Sequence, residues 1–324
     1  MPIHQVSSAE TEDRNLSPEE FRELKVSKTK AKLWRRRLIC FALVIILAVL
    51  AAVPVYQLVY QPFQAKSVYN QMKRLYASSG SGAMPEEFNE DFEALYDVNP
   101  DVGGWMIVGE SPIELPVVQT LAHDSVYYVN HLFDGTSNPY GTPYFLTDCT
   151  LGLPAHNTVI RGGEKLMGEL GSYRTLDYYK NEPKMFLSGL NETESYKIFA
   201  IVEVAEGEVS EFSKGVYETT EEFRDFVERM GERTLINTGI TVTQNDSLLT
   251  LLCDTEAGKL AIIGRAVRDG ESFEVDTSQA TLNNGMGGLA TWVDTPTDVV
   301  TATDTLGATV TKTDVAATNS AIKQ

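Results

Sequence analysis

Residues 247–267 read SLLTLLCDTEAGKLAIIGRAV. Two apolar runs, Ser247–Cys253 and Lys259–Val267, flank a polar loop, and each has the length and composition of a strand. Cys253 stands where the first strand ends. Upstream, the same grammar repeats: Trp105–Val108, Pro116–Gln119, Tyr127–Asn130, Tyr144–Thr147 and Asn157–Arg161 are short β-rich runs divided by Gly, Pro, Asn and Asp. Lys184–Leu187 and Ser195–Val204 continue the series. One helix interrupts it. Thr219-Thr220-Glu221-Glu222 opens that helix as a cap, and Phe223, Phe226, Val227 and Met230 form one apolar face. Many short strands with so little helix between them predict a mainly β fold: a closed or nearly closed barrel with peripheral helices.

Before the barrel the pattern is helical. Residues 64–76 predict an amphipathic helix, ended by a flexible Ser78-Ser79-Gly80-Ser81-Gly82, and a second helix is expected over 85–97, with Phe88, Phe92, Leu95 and Tyr96 at helical spacing. Leu38–Tyr60 reads LICFALVIILAVLAAVPVYQLVY. As a helix it would span roughly 34 Å, enough for a bilayer core of about 30 Å. Trp34 and Arg35-Arg36-Arg37 precede it and few basic residues follow, so the N-terminus is expected in the cytoplasm and everything after Tyr60 outside. A cleaved signal peptide would need a shorter apolar run. Beyond about Val275 the chain turns to Thr, Ala, Gly, Asn and Asp, a composition that cannot bury enough surface to order itself. The expected organisation is a cytoplasmic tail at 1–37, a transmembrane helix at 38–60, a helical linker at 61–98, the barrel domain at 99–275 and a disordered tail at 276–324.

Composition excludes several functions. The 324 residues carry a net charge of −18, and the basic residues crowd into Lys25–Arg37, so the remainder is more acidic still. Such a surface repels phosphate backbones, and no nucleic-acid partner is expected. Three cysteines and four histidines are scattered with no CxxC pair and no Cys/His cluster, so neither a metal nor another cofactor is expected.

Several stretches recur in the order of a known family. Asn99-Pro100-Asp101-Val102-Gly103-Gly104-Trp105 resembles the opening NPDxxGW of the class B sortases, and Pro112 to Gln119 is similar to their PVVQ strand. Asp124 with Tyr127-Tyr128-Val129, Gly141 to Asp148, His156-Asn157-Thr158-Val159-Ile160 and Met167-Gly168-Glu169-Leu170 follow in sequence, and Leu249–Cys253 falls on TLSTC. The helix at 219–230 matches the extra helix typical of the class. The resemblance spans Asn99 to Val267.

That resemblance implies a cysteine transpeptidase of a Gram-positive cell envelope. Such proteins cleave sorting signals of exported proteins and join the new carboxyl end to a cell-wall precursor amine. Cys253 takes the nucleophile's place. Where the family has Tyr-Gly-His this chain has Arg161-Gly162-Gly163, so Gly163 stands in the position of the histidine base, and Lys259 stands in that of the substrate-positioning arginine. A thiol near pKa 8.5 is only slightly ionised at neutral pH, and losing the acid/base group costs about 10²–10⁴ in rate. Lysine keeps the charge but not the planar fork of arginine. The expectation is therefore an impaired sortase. Two alternatives stay open: an active transpeptidase or hydrolase using an unconventional base, either the adjacent Glu164 or Lys165 or one of His123, His131 and His156, and a non-enzymatic envelope scaffold. Arg265 shares a strand face with Lys259 but reads as a surface residue. Cys149 could close a disulfide with Cys253 and silence the thiol.

Overall fold

Starting at Val102, the alternation is realised as strands that close on themselves. The structure, a computed structural model, describes residues 17–109, 113–119, 126–146, 156–285 and 291–294. In chain order the strands are β1 (Val102–Val108), β2 (Glu114–Gln119), β3 (Tyr144–Phe145), β4 (Asn157–Gly162), β5 (Lys184–Gly189), β6 (Thr193–Val204), β7 (Ile236–Asn237), β8 (Leu248–Thr255), β9 (Gly258–Ala266) and β10 (Thr281–Leu282). Eight of them form a closed barrel in the order β1-β2-β3-β4-β8-β9-β6-β5, with β2/β3 and β4/β8 parallel and the other pairs antiparallel.

The near-continuous apolar character of β6, β8 and β9 has a simple cause: both faces are covered. Leu249, Leu251, Leu260 and Ile262 face the barrel interior, whereas Leu248, Leu252, Ala261 and Ile263 belong to a second cluster. That cluster is closed by Phe212 of α6 (Val209–Phe212) and by α7 (Thr220–Arg233), whose Phe223, Phe226, Val227 and Met230 are all buried. A bulge between Ile198 and Ala200 shifts the parity of β6, so Tyr196 and Ile198 face inward before it and Ile201 after it. At the start of α7, Thr219 accepts a hydrogen bond from the Glu222 amide at 3.1 Å. Thr219→Ala should lower the stability of the barrel by about 1 kcal/mol, read as a lowered urea midpoint with unchanged slope.

The N-terminal rod is longer than its apolar stretch. Helix α1 (Pro18–Val55) runs into a π-turn at Tyr56–Tyr60, just past Pro54, and then into α2 (Gln61–Leu75). Helix thus begins at Pro18, inside the stretch expected as a cytoplasmic tail, and the segment is long and apolar enough to cross a membrane. Helix α2 packs onto the barrel core. Its Ala65, Val68, Tyr69 and Met72 are buried, Lys73 pairs with Glu114 at 2.8 Å, and Tyr76 stacks on Trp105 with ring centroids 4.5 Å apart.

Other expectations need correcting. The second linker helix is shorter than expected: a 3₁₀ turn at Glu90–Phe92 followed by α3 (Glu93–Val98). Ser78–Gly82 is held rather than loose, because the Gly80 amide donates to Glu93 at 3.0 Å and the Ser81 amide to Asp97 at 2.6 Å. Tyr127–Asn130 is not a strand; Tyr127–Val129 is a 3₁₀ turn, since Tyr127 stacks on His131 where a strand would separate them. Order also extends beyond Val275. Thr281 and Leu282 pair with β7, Ala280 is buried, and the Val242 amide donates to the Thr291 carbonyl at 2.7 Å. A side chain at Gly231 would meet Thr291 at 2.3 Å, so the glycine allows this segment to lie on α7. Residues 295–324 lie outside the described residues.

Candidate active site

Cys253 is the next-to-last but one residue of β8, facing inward with Leu249 and Leu251 and paired with Leu260 of β9. It is 1 % exposed and its thiol donates to the Leu260 carbonyl at 3.5 Å. Burial pushes the thiol pKa up to about 12; the charge of Asp254 adds to the rise and that of Arg174 opposes it. At neutral pH the sulfur is therefore protonated. Cys253 is a free thiol, and Cys149, which could have closed a disulfide with it, lies outside the described residues.

Gly163 sits one residue beyond the end of β4, whose last residue, Gly162, pairs with Cys253 in the parallel β4/β8 ladder. The two glycines have opposite surroundings. A Cβ at Gly162 would lie 1.9 Å from the Met167 sulfur, whereas one at Gly163 would meet no atom within 4 Å. The chain then turns into α4 (Glu164–Met167), a 3₁₀ stretch at Gly168–Arg174 and α5 (Leu176–Asn181). Met167, Leu170 and Tyr173 bury themselves, packing this segment onto the core. Its polar residues and the β8–β9 turn enclose a cavity of about 650 Å³, lined by Glu164, Lys165, Glu169, Arg174, Thr255 and Glu256 among others. Cys253 does not line it; Thr255, the next residue on the same strand face, does.

Lys259 and Asp254 are register partners on the face opposite to Cys253 and Leu260, because neighbouring residues alternate across a strand. The Lys259 ammonium lies 2.5 Å from Asp254 and 3.2 Å from Glu206, and these carboxylates hold its pKa above the ordinary lysine value. Arg265 is not a surface residue. It is 2 % exposed, and its guanidinium meets Glu271, which also takes Lys197 at 2.7 Å.

Of the groups read as substitute bases, the two described histidines are engaged elsewhere. His156 precedes the other end of β4, six residues or about 20 Å from the Cys253 level, against Tyr217 and Phe223. His131 stacks on Tyr127 and its Nδ1 lies 2.8 Å from the Tyr127 carbonyl. Lys165 sits over the Tyr140 ring at 5.7 Å, and Glu164 lines the cavity. His123 lies outside the described residues. No cluster of three or more His, Cys, Asp or Glu fit to hold a metal occurs among the described residues.

Sequence reading missed Arg174. Its Nη1 donates to Thr255 Oγ1 at 2.9 Å and its Nε to Glu203 at 3.0 Å. No local signal could have found it, because the partners it joins are 81 and 29 residues away in the chain.

No family model matches the chain. Among curated proteins, sortase B of Listeria monocytogenes is 22 % identical over 219 residues, covering 64 % of this chain and 87 % of that protein. Among solved structures, sortase B from B. anthracis in complex with AAEK1 is similar with a TM-score of 0.57 and 21 % identity, over 64 % of this chain and 99 % of that one. A Staphylococcus aureus sortase B–substrate complex is similar with a TM-score of 0.56 and 17 % identity, again over 64 % and 99 %. Because these likenesses run over almost the whole of each sortase B chain rather than over one shared hairpin, the fold of this protein is that of the class B sortases.

Proposed function

We propose that this protein is a membrane-anchored, class B sortase-like component of the cell envelope that binds sorting-signal peptides and transfers or hydrolyses them poorly. The observation that carries the reading is the state of Cys253. Read as the nucleophile that the sequence resemblance implies, its thiol is held protonated by burial, and Gly163, read as the base's position, carries no side chain and has open space around it. Peptide binding is supported by the capture of a related fold with its substrate and by the cavity beside Thr255. Anchoring is supported by the apolar rod through residues 38–60, and the basic block Lys25–Arg37 before it argues for a cytoplasmic N-terminus and an external barrel. The cell-wall precursor amine is the acceptor that full activity would require.

The test uses the full chain in detergent with a panel of class B sorting peptides and their uncleavable analogues. Binding of the analogue is expected, with cleavage about 10²–10⁴-fold slower than for a sortase with its base intact, and Cys253→Ala should remove the remainder while leaving binding in place. Cleavage at ordinary enzymatic rates would defeat the impaired reading. Absence of binding to every peptide would leave only a scaffold.

A further inference from the structure

We propose that Arg174, and not Lys259, is the cation of the thiol site, holding a peptide carbonyl or carboxylate oxygen beside Cys253; this rests on the peptide-binding reading above. Three observations converge on it. First, strand alternation separates the two cations. Arg174 bonds Thr255, which shares the inward face with Cys253 two residues away, a step of about 7 Å, whereas Lys259 is paired with Asp254 on the other face.

Second, the guanidinium is incompletely used. Nη1 is taken by Thr255 and Nε by Glu203, but Nη2 is buried without a partner. A buried N–H left unpaired is costly, and a site that binds an oxygen there would recover that cost. Arg174 also lines the cavity with Thr255 and Glu256, so its side chain borders the space that a ligand would fill. The Lys259 ammonium, by contrast, already has two carboxylates around it.

Third, the neighbouring backbone makes room for this arrangement. A Cβ on Gly171 would lie 3.3 Å from both Arg174 Nη1 and the Thr255 Cβ, so the absence of a side chain there lets the guanidinium rest against β8. The Arg174 charge also reaches the sulfur, opposing the rise in the thiol pKa. A planar fork with one arm fixed on Thr255 and another on Glu203 presents its remaining nitrogen in a defined direction, which a lysine could not do.

The test compares alkylation of Cys253 by iodoacetate and iodoacetamide in the full chain in detergent, at fixed pH. The ratio of the two rates cancels the thiolate fraction and general access, and reports a cation that holds the carboxylate of the reagent. Arg174→Gln should lower the iodoacetate-to-iodoacetamide ratio by about tenfold, while Lys259→Gln leaves it unchanged. Arg174→Lys should keep part of the preference, and it supplies the comparison with wild type if the glutamine variant does not fold. A wild-type ratio in both Arg174 variants, or an equal loss in Lys259→Gln, would overturn the assignment of Arg174 alone. No alkylation of Cys253 by either reagent in any variant would overturn the peptide-site reading itself, and Arg174 with it.

Discussion

Gly163→His should raise the rate at which Cys253 is alkylated at pH 7 by roughly 10²-fold. The position accepts the side chain, since a Cβ there meets no atom within 4 Å and the backbone, at φ −83° and ψ 161°, is open to any L residue. Gly162, the last residue of β4, is the register partner of Cys253, so residue 163 is one step beyond the sulfur's level. An imidazole within reach would stabilise the thiolate as an ion pair, against the burial that now pushes the thiol to about 12. The pH–rate profile should change with it, from a rate that climbs steadily through pH 9 to one with a plateau near neutrality. The same variant should also gain cleavage of a bound sorting peptide, because Arg174 is already in place. A profile that does not move would mean that residue 163 does not approach the sulfur in solution.

The second large effect concerns stability. Lys197 and Arg265, register partners on β6 and β9, have side chains only 7 % and 3 % exposed, and both rest on the Glu271 carboxylate. One acid therefore compensates two buried cations, with Arg268 adding its backbone amide at 3.0 Å. Glu271→Gln keeps the shape but removes the charge, and should cost about 3 kcal/mol, because it leaves buried charge uncompensated. Chemical denaturation of the full chain in detergent is the measurement, with Thr219→Ala as a mild comparison.

The pH dependence has a definite sign. Hydrogen bonds from Arg265 and Lys197 hold the Glu271 pKa in the folded protein well below its ordinary 4.5. The stabilisation is thus complete above about pH 5 and is lost progressively as pH falls below 4.5 towards the depressed folded value. In Glu271→Gln this part of the acid sensitivity should disappear, and an unchanged acid limb would show that the cluster is not what titrates.

Most of the barrel was legible because its strands are bounded locally. Glycine, proline and asparagine separate the runs, and β1, β2, β4, β5, β6, β8 and β9 each overlap the run expected for it. Tyr127–Asn130 misled because aromatic, β-branched residues also suit a 3₁₀ turn once Tyr127 can stack on His131. The two-residue strands β7 and β10 carry no periodicity, so only their mutual pairing identifies them.

The site divides in the same way. Residue order alone placed Cys253 at a strand end, put Gly162 and Gly163 together at the end of another strand, and gave the apolar segment the length of a bilayer crossing. These are local properties, written in adjacent residues and in the period of the backbone. Which cation shares a face with the sulfur, how deeply that sulfur is buried, and why Arg265 is interior were decided only when distant segments met. Register between β8 and β9 turned Lys259 away, and packing of 164–174 brought Arg174 to Thr255. Facing and burial depend on contacts between residues far apart in the chain, and linear spacing carries no record of those contacts.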